Sequence, residues 1–127
     1  MSLVLHTETT IDSTHYLEGY EGKCKNYHGH TWLVKLWFEG NEYDLNKVGI
    51  MVDFGIVKEL KEKLDHKIIN DVLKCNPTAE NLSIWVYTFI KKKIKDRIKV
   101  RVRIYETAVL KKTWCEYGDD IIGLRVM

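Results

Sequence analysis

The sequence is poor in proline and cysteine and has no long hydrophobic run, and each shortage excludes a class of protein. With one proline and no low-complexity stretch, the chain has no segment typical of an interdomain linker. Three cysteines, an odd number at irregular spacing, indicate reduced thiols rather than a disulfide framework. No apolar run approaches the roughly 20 residues of a membrane helix, and no signal-peptide pattern is present. We therefore predict a cytoplasmic protein with no membrane partner.

Length and composition are those of an ordinary globular protein. The chain has 127 residues, of which 45% are hydrophobic and 30% charged. A chain of this length can bury a core without disulfides or a structural metal. We predict a single domain that spans residues 1–127.

Positive charge is concentrated in one stretch, although the net charge is only +2. Residues 91–103, KKKIKDRIKVRVR, hold eight basic residues and one acid. A solvated helix end followed by an exposed strand face is the simplest interpretation. A site for a phosphate-bearing small substrate, or a basic inner surface of an oligomer, also fits. No nucleic-acid-binding module accompanies the stretch, so we predict no nucleic-acid partner.

Hydrophobic periodicity predicts an α+β protein with the element order ββααββ. Alternation with a period of two indicates strands, and apolar residues at helical spacing indicate helices. Asp53 and Thr78 are the predicted N-caps. Such elements form a four-stranded antiparallel sheet with two helices on one face. The predicted strands are residues 3–11, 31–40, 97–106 and 110–118, and the predicted helices are residues 53–64 and 77–94.

This arrangement leaves two features of the sheet without a partner in the monomer. The third strand alternates apolar residues with Lys99, Arg101 and Arg103, so one of its faces is basic. The sheet also has two unpaired edges. Several copies joined edge to edge in a closed barrel would relieve both problems.

The segment CKNYHGH places His28 and His30 one residue apart. In an extended segment both imidazoles project to the same side, and Gly29 between them has no side chain to interfere. His15 has the same parity as the apolar residues of the first strand. Three imidazoles and one open position are typical of a catalytic zinc site, although a single histidine on an apolar face is more often a core residue. Cys24 fits either a fourth zinc ligand or a reactive thiolate.

Three further residues are candidates for chemistry. Asp65 next to His66 could form an acid–base relay, but a polar loop after a helix explains the pair equally well. Glu106 ends a strand made of apolar and basic residues. Its carboxylate could accept paired N–H groups from a flat heterocycle, and a solvated strand end is the simpler alternative. We interpret Cys75 and Cys115 as bystanders without a role in the chemistry.

Six motifs resemble those of one enzyme family. They are DSTHYL with His15, then CKNYHGH, GIMVDFGIVK, LDHKIIN, PTAENL and YETA. They occur in the order and approximate spacing of the 6-pyruvoyl-tetrahydropterin synthase / 6-carboxy-tetrahydropterin synthase family, from about Val4 to Gly118.

The resemblance implies the tunnelling fold, in which three subunits form a twelve-stranded barrel and two trimers stack into a homohexamer. It also implies a role for each candidate site residue. The implied zinc ligands are His15, His28 and His30, the catalytic thiol is Cys24, the proton-transfer pair is Asp65 and His66, the pterin anchor is Glu106, and the pocket residues are Thr78, Glu80 and Asn81.

The three residues between Cys24 and His28 resemble the bacterial 6-carboxy-tetrahydropterin synthases of queuosine biosynthesis. The implied reaction is zinc-dependent conversion of 7,8-dihydroneopterin triphosphate to 6-carboxy-5,6,7,8-tetrahydropterin, with release of acetaldehyde and triphosphate. The alternatives are 6-pyruvoyl-tetrahydropterin synthase activity, dihydroneopterin aldolase-like activity, and a non-catalytic scaffold in which Cys24 is a structural zinc ligand.

Overall fold

The computed structural model describes residues 1–22 and 25–121. It contains four strands, two α-helices and short 3-10 turns at Glu42–Asp44 and Ile69–Asp71. The order of the main elements is ββααββ, as predicted. The strands are β1 (Ser2–His15), β2 (His28–Asn41), β3 (Lys99–Tyr105) and β4 (Trp114–Gly118), and the helices are α1 (Gly55–Leu64) and α2 (Ala79–Lys91).

The strands form one antiparallel sheet in the order β1-β2-β3-β4. Alternate residues of each strand face the two helices and bury the hydrophobic core, because successive strand side chains point to opposite faces. The helices contribute their apolar stripes to this core. Fully buried core side chains include Trp32, Leu36, Phe38, Leu60, Val86, Ile90 and Val102.

The first two strands extend further toward the candidate site than the apolar pattern predicts. Both are 14 residues long, and their register pairs His15 with His28 and Ser13 with His30. His15 is 2% exposed. The expectation that it lies on the apolar side of the sheet is therefore confirmed.

The predicted N-cap of the first helix is wrong, and that of the second is correct. Helix α1 begins at Gly55, and its N-cap residue, Phe54, makes no capping hydrogen bond. Asp53 lies one position earlier, where its Oδ1 accepts a 2.8 Å hydrogen bond from the Gly55 backbone N–H. Thr78 caps α2, because its Oγ1 accepts a hydrogen bond from the backbone N–H of Asn81 at 3.1 Å.

The basic face of β3 has partners within the monomer, contrary to the sequence-based expectation. Glu116 on β4 accepts hydrogen bonds from Arg101 Nε at 2.8 Å and Arg103 Nε at 2.7 Å. Burial alone would raise the pKa of Glu116, but these two guanidinium groups outweigh it and lower that pKa. Lys99 lies 3.6 Å from Glu39 on β2. Neighbouring strands thus neutralise much of the charge on this face.

A loop segment covers one end of β1, next to the candidate site. Thr14 donates a backbone hydrogen bond to Lys67 O at 3.1 Å and forms a parallel bridge with Ile68. Within residues 1–22 and 25–121, β1 and β4 are the outer strands of the sheet. The helices in the same residues are all too short or too polar to cross a bilayer.

Asp119 ties the end of β4 to α2 and β3, and its replacement by alanine is expected to destabilise the fold. Its carboxylate accepts hydrogen bonds from Tyr87 Oη and Val100 N–H, both at 3.0 Å, and lies 3.5 Å from Lys91 Nζ. Leaving the buried Val100 N–H unpaired should cost about 1–3 kcal/mol of unfolding free energy. Urea denaturation measures this cost. Tyr87→Phe, which removes one bond, is the control and should cost about 1 kcal/mol.

The same residue gives that stability a defined pH dependence. Burial would raise the pKa of Asp119, but its hydrogen bonds and Lys91 lower it overall from the usual 3.8. A pKa lower in the folded state than in the unfolded state stabilises the fold above the unfolded value, and that contribution is lost as pH falls through the folded value. The difference in stability between wild type and Asp119→Ala should therefore shrink below about pH 4. A difference that is constant down to pH 2 would contradict this account.

Candidate metal centre and adjoining cavity

Three histidines and one glutamate converge at the end of the first two strands. The cross-strand pair His15 and His28 has ring centroids 4.4 Å apart. The His30 ring lies 4.7 Å from that of His28 and 5.0 Å from that of His15. Glu106 follows the last residue of β3, beside β2. The ligand atoms of these four side chains all lie within 4.8 Å of one another.

Backbone carbonyl groups orient two of the imidazoles. His15 Nδ1 lies 2.7 Å from Pro77 O, and His28 Nδ1 lies 2.8 Å from Asn26 O. Since a carbonyl oxygen only accepts hydrogen bonds, Nδ1 carries the proton in both rings, and Nε2 presents its lone pair to the cluster. Carbonyl groups that fix the tautomer of histidine in this way are typical of metal ligands.

Two Nε2 atoms in the cluster are buried and make no hydrogen bond. His15 Nε2 has no partner among the described atoms. His30 Nε2 lies 2.9 Å from Glu106 Oε1, yet the contact is not aligned as a hydrogen bond. Buried polar atoms without partners are uncommon in native proteins. The most direct explanation is a ligand that these nitrogens bind.

Burial favours the neutral form of two of these imidazoles, those of His15 and His30. Desolvation lowers the pKa of both His15 and His30, and the opposing effect of Glu106 does not reverse it. Trp32 contributes to this burial, because its fully buried ring packs edge-on against both histidines. Neutral imidazole is the metal-ligating form of histidine. Three imidazole nitrogens with a nearby carboxylate therefore fit a divalent transition metal.

A cavity of about 610 Å³ adjoins the cluster. His15, Glu106, Thr78 and Glu80 line it, so the structure brings together the predicted metal site and most of the predicted pocket residues. Asn81 is not among the lining residues. Its Nδ2 donates to Asn76 O at 2.8 Å, which fixes the start of α2 rather than contacting the cavity.

His66 lines a different cavity of about 570 Å³, to which His30 of the histidine cluster also contributes. Asp65 Oδ2 lies 3.5 Å from His66 Nε2, so the two side chains do form a pair. The backbone of Asp12 holds the pair in place, because its N–H donates to Asp65 Oδ1 at 2.9 Å and its carbonyl accepts from His66 N at 2.7 Å. The structure thus places this pair beside the cluster and outside the larger cavity.

The structure describes two of the three cysteines, Cys75 and Cys115. Cys24 lies outside the described residues, so its predicted role as a thiol or a ligand stays a prediction. Cys75 is exposed. Cys115, to which sequence analysis assigns no function, lines the cavity of about 610 Å³.

Comparison with known proteins places these features in a family. The model of the family described as 6-pyruvoyl tetrahydropterin synthase matches residues 4–120. A Pyrococcus horikoshii protein provisionally named 6-carboxy-5,6,7,8-tetrahydropterin synthase is 33% identical, with 76% of this chain and 79% of that protein covered. The 6-carboxy-5,6,7,8-tetrahydropterin synthase of Haemophilus influenzae is 27% identical, with 88% of this chain and 96% of that protein covered.

The Caenorhabditis elegans 6-pyruvoyl tetrahydropterin synthase structure superimposes with a TM-score of 0.73 at 20% identity, covering 94% of this chain and 97% of that one. This similarity defines the fold class as the tunnelling fold. The match to the family model over most of the chain defines the family. The chain belongs to the 6-pyruvoyl tetrahydropterin synthase family.

Proposed function

We propose that the protein is a zinc-dependent carbon–carbon lyase that converts 7,8-dihydroneopterin triphosphate to 6-carboxy-5,6,7,8-tetrahydropterin, with release of acetaldehyde and triphosphate. The observation that carries the proposal is the cluster of three imidazoles and a carboxylate beside the cavity of about 610 Å³. His15, His28 and His30 would hold the zinc ion. Bound zinc would supply Lewis acidity to the hydroxyl groups of the substrate side chain.

The side chains around the cluster would bind the substrate and transfer its protons. Glu106 would accept two N–H groups from the pterin ring and so direct the substrate side chain toward the histidines. Thr78 and Glu80 would line the ring pocket at the start of α2. Asp65 would orient His66, which would transfer one side-chain proton, and Cys24 as thiolate would transfer another.

The 6-carboxy product is preferred over the 6-pyruvoyl product for two reasons. Three residues separate Cys24 from His28, as in the resemblance described above, and the curated relatives from Pyrococcus horikoshii and Haemophilus influenzae carry 6-carboxy-5,6,7,8-tetrahydropterin synthase names. The proposal places the enzyme in the cytoplasm and in queuosine biosynthesis.

We further propose that the single domain assembles into a homohexamer of two stacked trimers. The two outer strands of the sheet support this, because edge-to-edge pairing of β1 with β4 of another copy would close a barrel. The separate cavities lined by His66 and by Glu106 also support it, since a neighbouring subunit could bring the Asp65–His66 pair of one copy to the cluster of another. Light scattering tests the assembly, and an active monomer would contradict it.

Product analysis tests the reaction itself. Zinc-loaded protein incubated with 7,8-dihydroneopterin triphosphate should yield 6-carboxy-5,6,7,8-tetrahydropterin and an equal amount of acetaldehyde, both measured by chromatography. A 6-pyruvoyl product would reassign the reaction within the family. Zinc-loaded protein that leaves the substrate unchanged would support the non-catalytic scaffold.

A further inference from the structure

Cys115 lines the cavity that the proposed function assigns to the pterin ring. On β4 it pairs in register with Ile104 of β3. Glu106 lies two residues beyond Ile104, directly after the last residue of β3. Diagonal neighbours across two strands are typically about 7–8 Å apart, so the two side chains are close enough to contact one ligand in the cavity that both of them line.

A hydrogen-bond chain fixes the direction of the Cys115 thiol. Ser83 Oγ donates to Glu80 O at 2.7 Å, which commits the single hydroxyl proton. Cys115 Sγ lies 3.6 Å from the same Ser83 Oγ, so the thiol must be the donor in this contact. The S–H bond then points toward α2, and the sulfur presents its polarisable surface to the cavity.

An independent observation marks this cavity as a ligand site. His15, which is 2% exposed, lines it, and the Nε2 atom of His15 is buried without a hydrogen-bond partner. Glu80 and Glu106 also line this cavity. The sulfur therefore shares the cavity with polar groups that could recognise a ligand.

We propose that Cys115 is a specificity-determining residue, which sets how deeply a flat heterocycle enters between Glu106 and the first turns of α2. This inference rests on the proposed function. The sulfur would contact the ring without donating a hydrogen bond to it, because Ser83 takes the thiol proton. A larger side chain at position 115 would hold the ring away from Glu106 while leaving the histidine cluster intact.

The test compares three single variants for KM, kcat and zinc content, with 7,8-dihydroneopterin triphosphate as substrate. Cys115→Leu should raise KM at least roughly tenfold, since a misfit of one or two methyl groups in a pocket has an effect of this size. Its zinc content should equal that of the wild type, and KM should change more than kcat. Cys115→Ala should bind the substrate nearly as well as wild type. Cys75→Leu, at an exposed position, is the matched control and should change neither constant.

A labelling experiment on the wild-type protein tests the inference without any substitution. Neopterin should slow the reaction of Cys115 with N-ethylmaleimide, measured by mass spectrometry of the Cys115 peptide, and should leave the rate at Cys75 unchanged. If the wild type is active, either of two results would overturn this inference alone. One is an unaltered KM in folded Cys115→Leu, and the other is a labelling rate at Cys115 that neopterin does not slow. A wild type that neither binds neopterin nor turns over substrate would overturn the proposed function and this inference with it.

Discussion

Replacement of His30 by alanine is expected to abolish zinc binding and turnover together. His30 completes a triangle of imidazoles, with its ring centroid 4.7 Å and 5.0 Å from those of the other two histidines. Loss of one of three ligands should exceed the roughly 10–100-fold effect on metal affinity or activity that accompanies loss of a hydrogen-bond partner of a ligand. His28→Ala should behave in the same way. Zinc content by mass spectrometry and activity are measured on the same preparation.

His6→Ala is the matched control, since it removes a histidine from the same pair of strands outside the cluster. His6 Nδ1 bonds to Leu36 O at 2.9 Å, and its ring stacks on Trp37. The His6 variant should therefore keep its zinc and lose at most about 1 kcal/mol of unfolding free energy. Stoichiometric zinc in both His28→Ala and His30→Ala would refute the ligand assignment, whatever their activity.

Periodicity alone predicts which residues of β2, the strand that contains two of these histidines, share a face. Alternation in β2 predicts that His28, His30 and Trp32 share one face, and the structure confirms it. Parity likewise predicts that His15 joins them once β1 is long enough. These predictions succeed because a strand has only two faces, so the sequence spacing decides between them.

Contacts that depend on the relation between distant elements could not be predicted in this way. The pairing of Glu116 with Arg101 and Arg103 requires the register of the β3–β4 hairpin, and the turn that sets this register lies within a long connecting loop. The position of Cys115 beside Ser83 depends in addition on how α2 packs on the sheet. The spacing of residues along the chain determines neither the register of the hairpin nor the packing of α2 on the sheet.

Glu106 has two possible roles, one suggested by the sequence and one by the structure, and an experiment can distinguish them. From the sequence, we interpret its carboxylate as the anchor of a heterocycle. The structure places Oε1 2.9 Å from His30 Nε2, within a group that could hold a metal ion. The same side chain also lines the cavity with Thr78 and Glu80.

Glu106→Gln is expected to weaken substrate binding at least tenfold while zinc content stays at the wild-type level. The amide keeps the shape of the carboxylate but has one acceptor oxygen and no charge. Charge-assisted hydrogen bonds contribute about 1.5–3 kcal/mol each, and about 1.4 kcal/mol corresponds to a factor of ten. Zinc should remain, because three histidines already supply the protein ligands of a catalytic site. Substrate affinity and zinc content are measured on one preparation.

Glu8→Gln, a change of the same chemistry on the β1 residue that contacts His6, is the matched control and should alter neither quantity. If Glu106→Gln loses zinc as well as affinity, Glu106 is a fourth metal ligand, and another group must orient the ring. If both quantities are unchanged, Glu106 is not part of the site. If Glu106 holds the pterin ring and directs the substrate side chain toward His15, His28 and His30, its carboxylate must bind the substrate rather than the metal. The variant should then keep its zinc and bind the substrate more weakly, and no other outcome is consistent with this geometry.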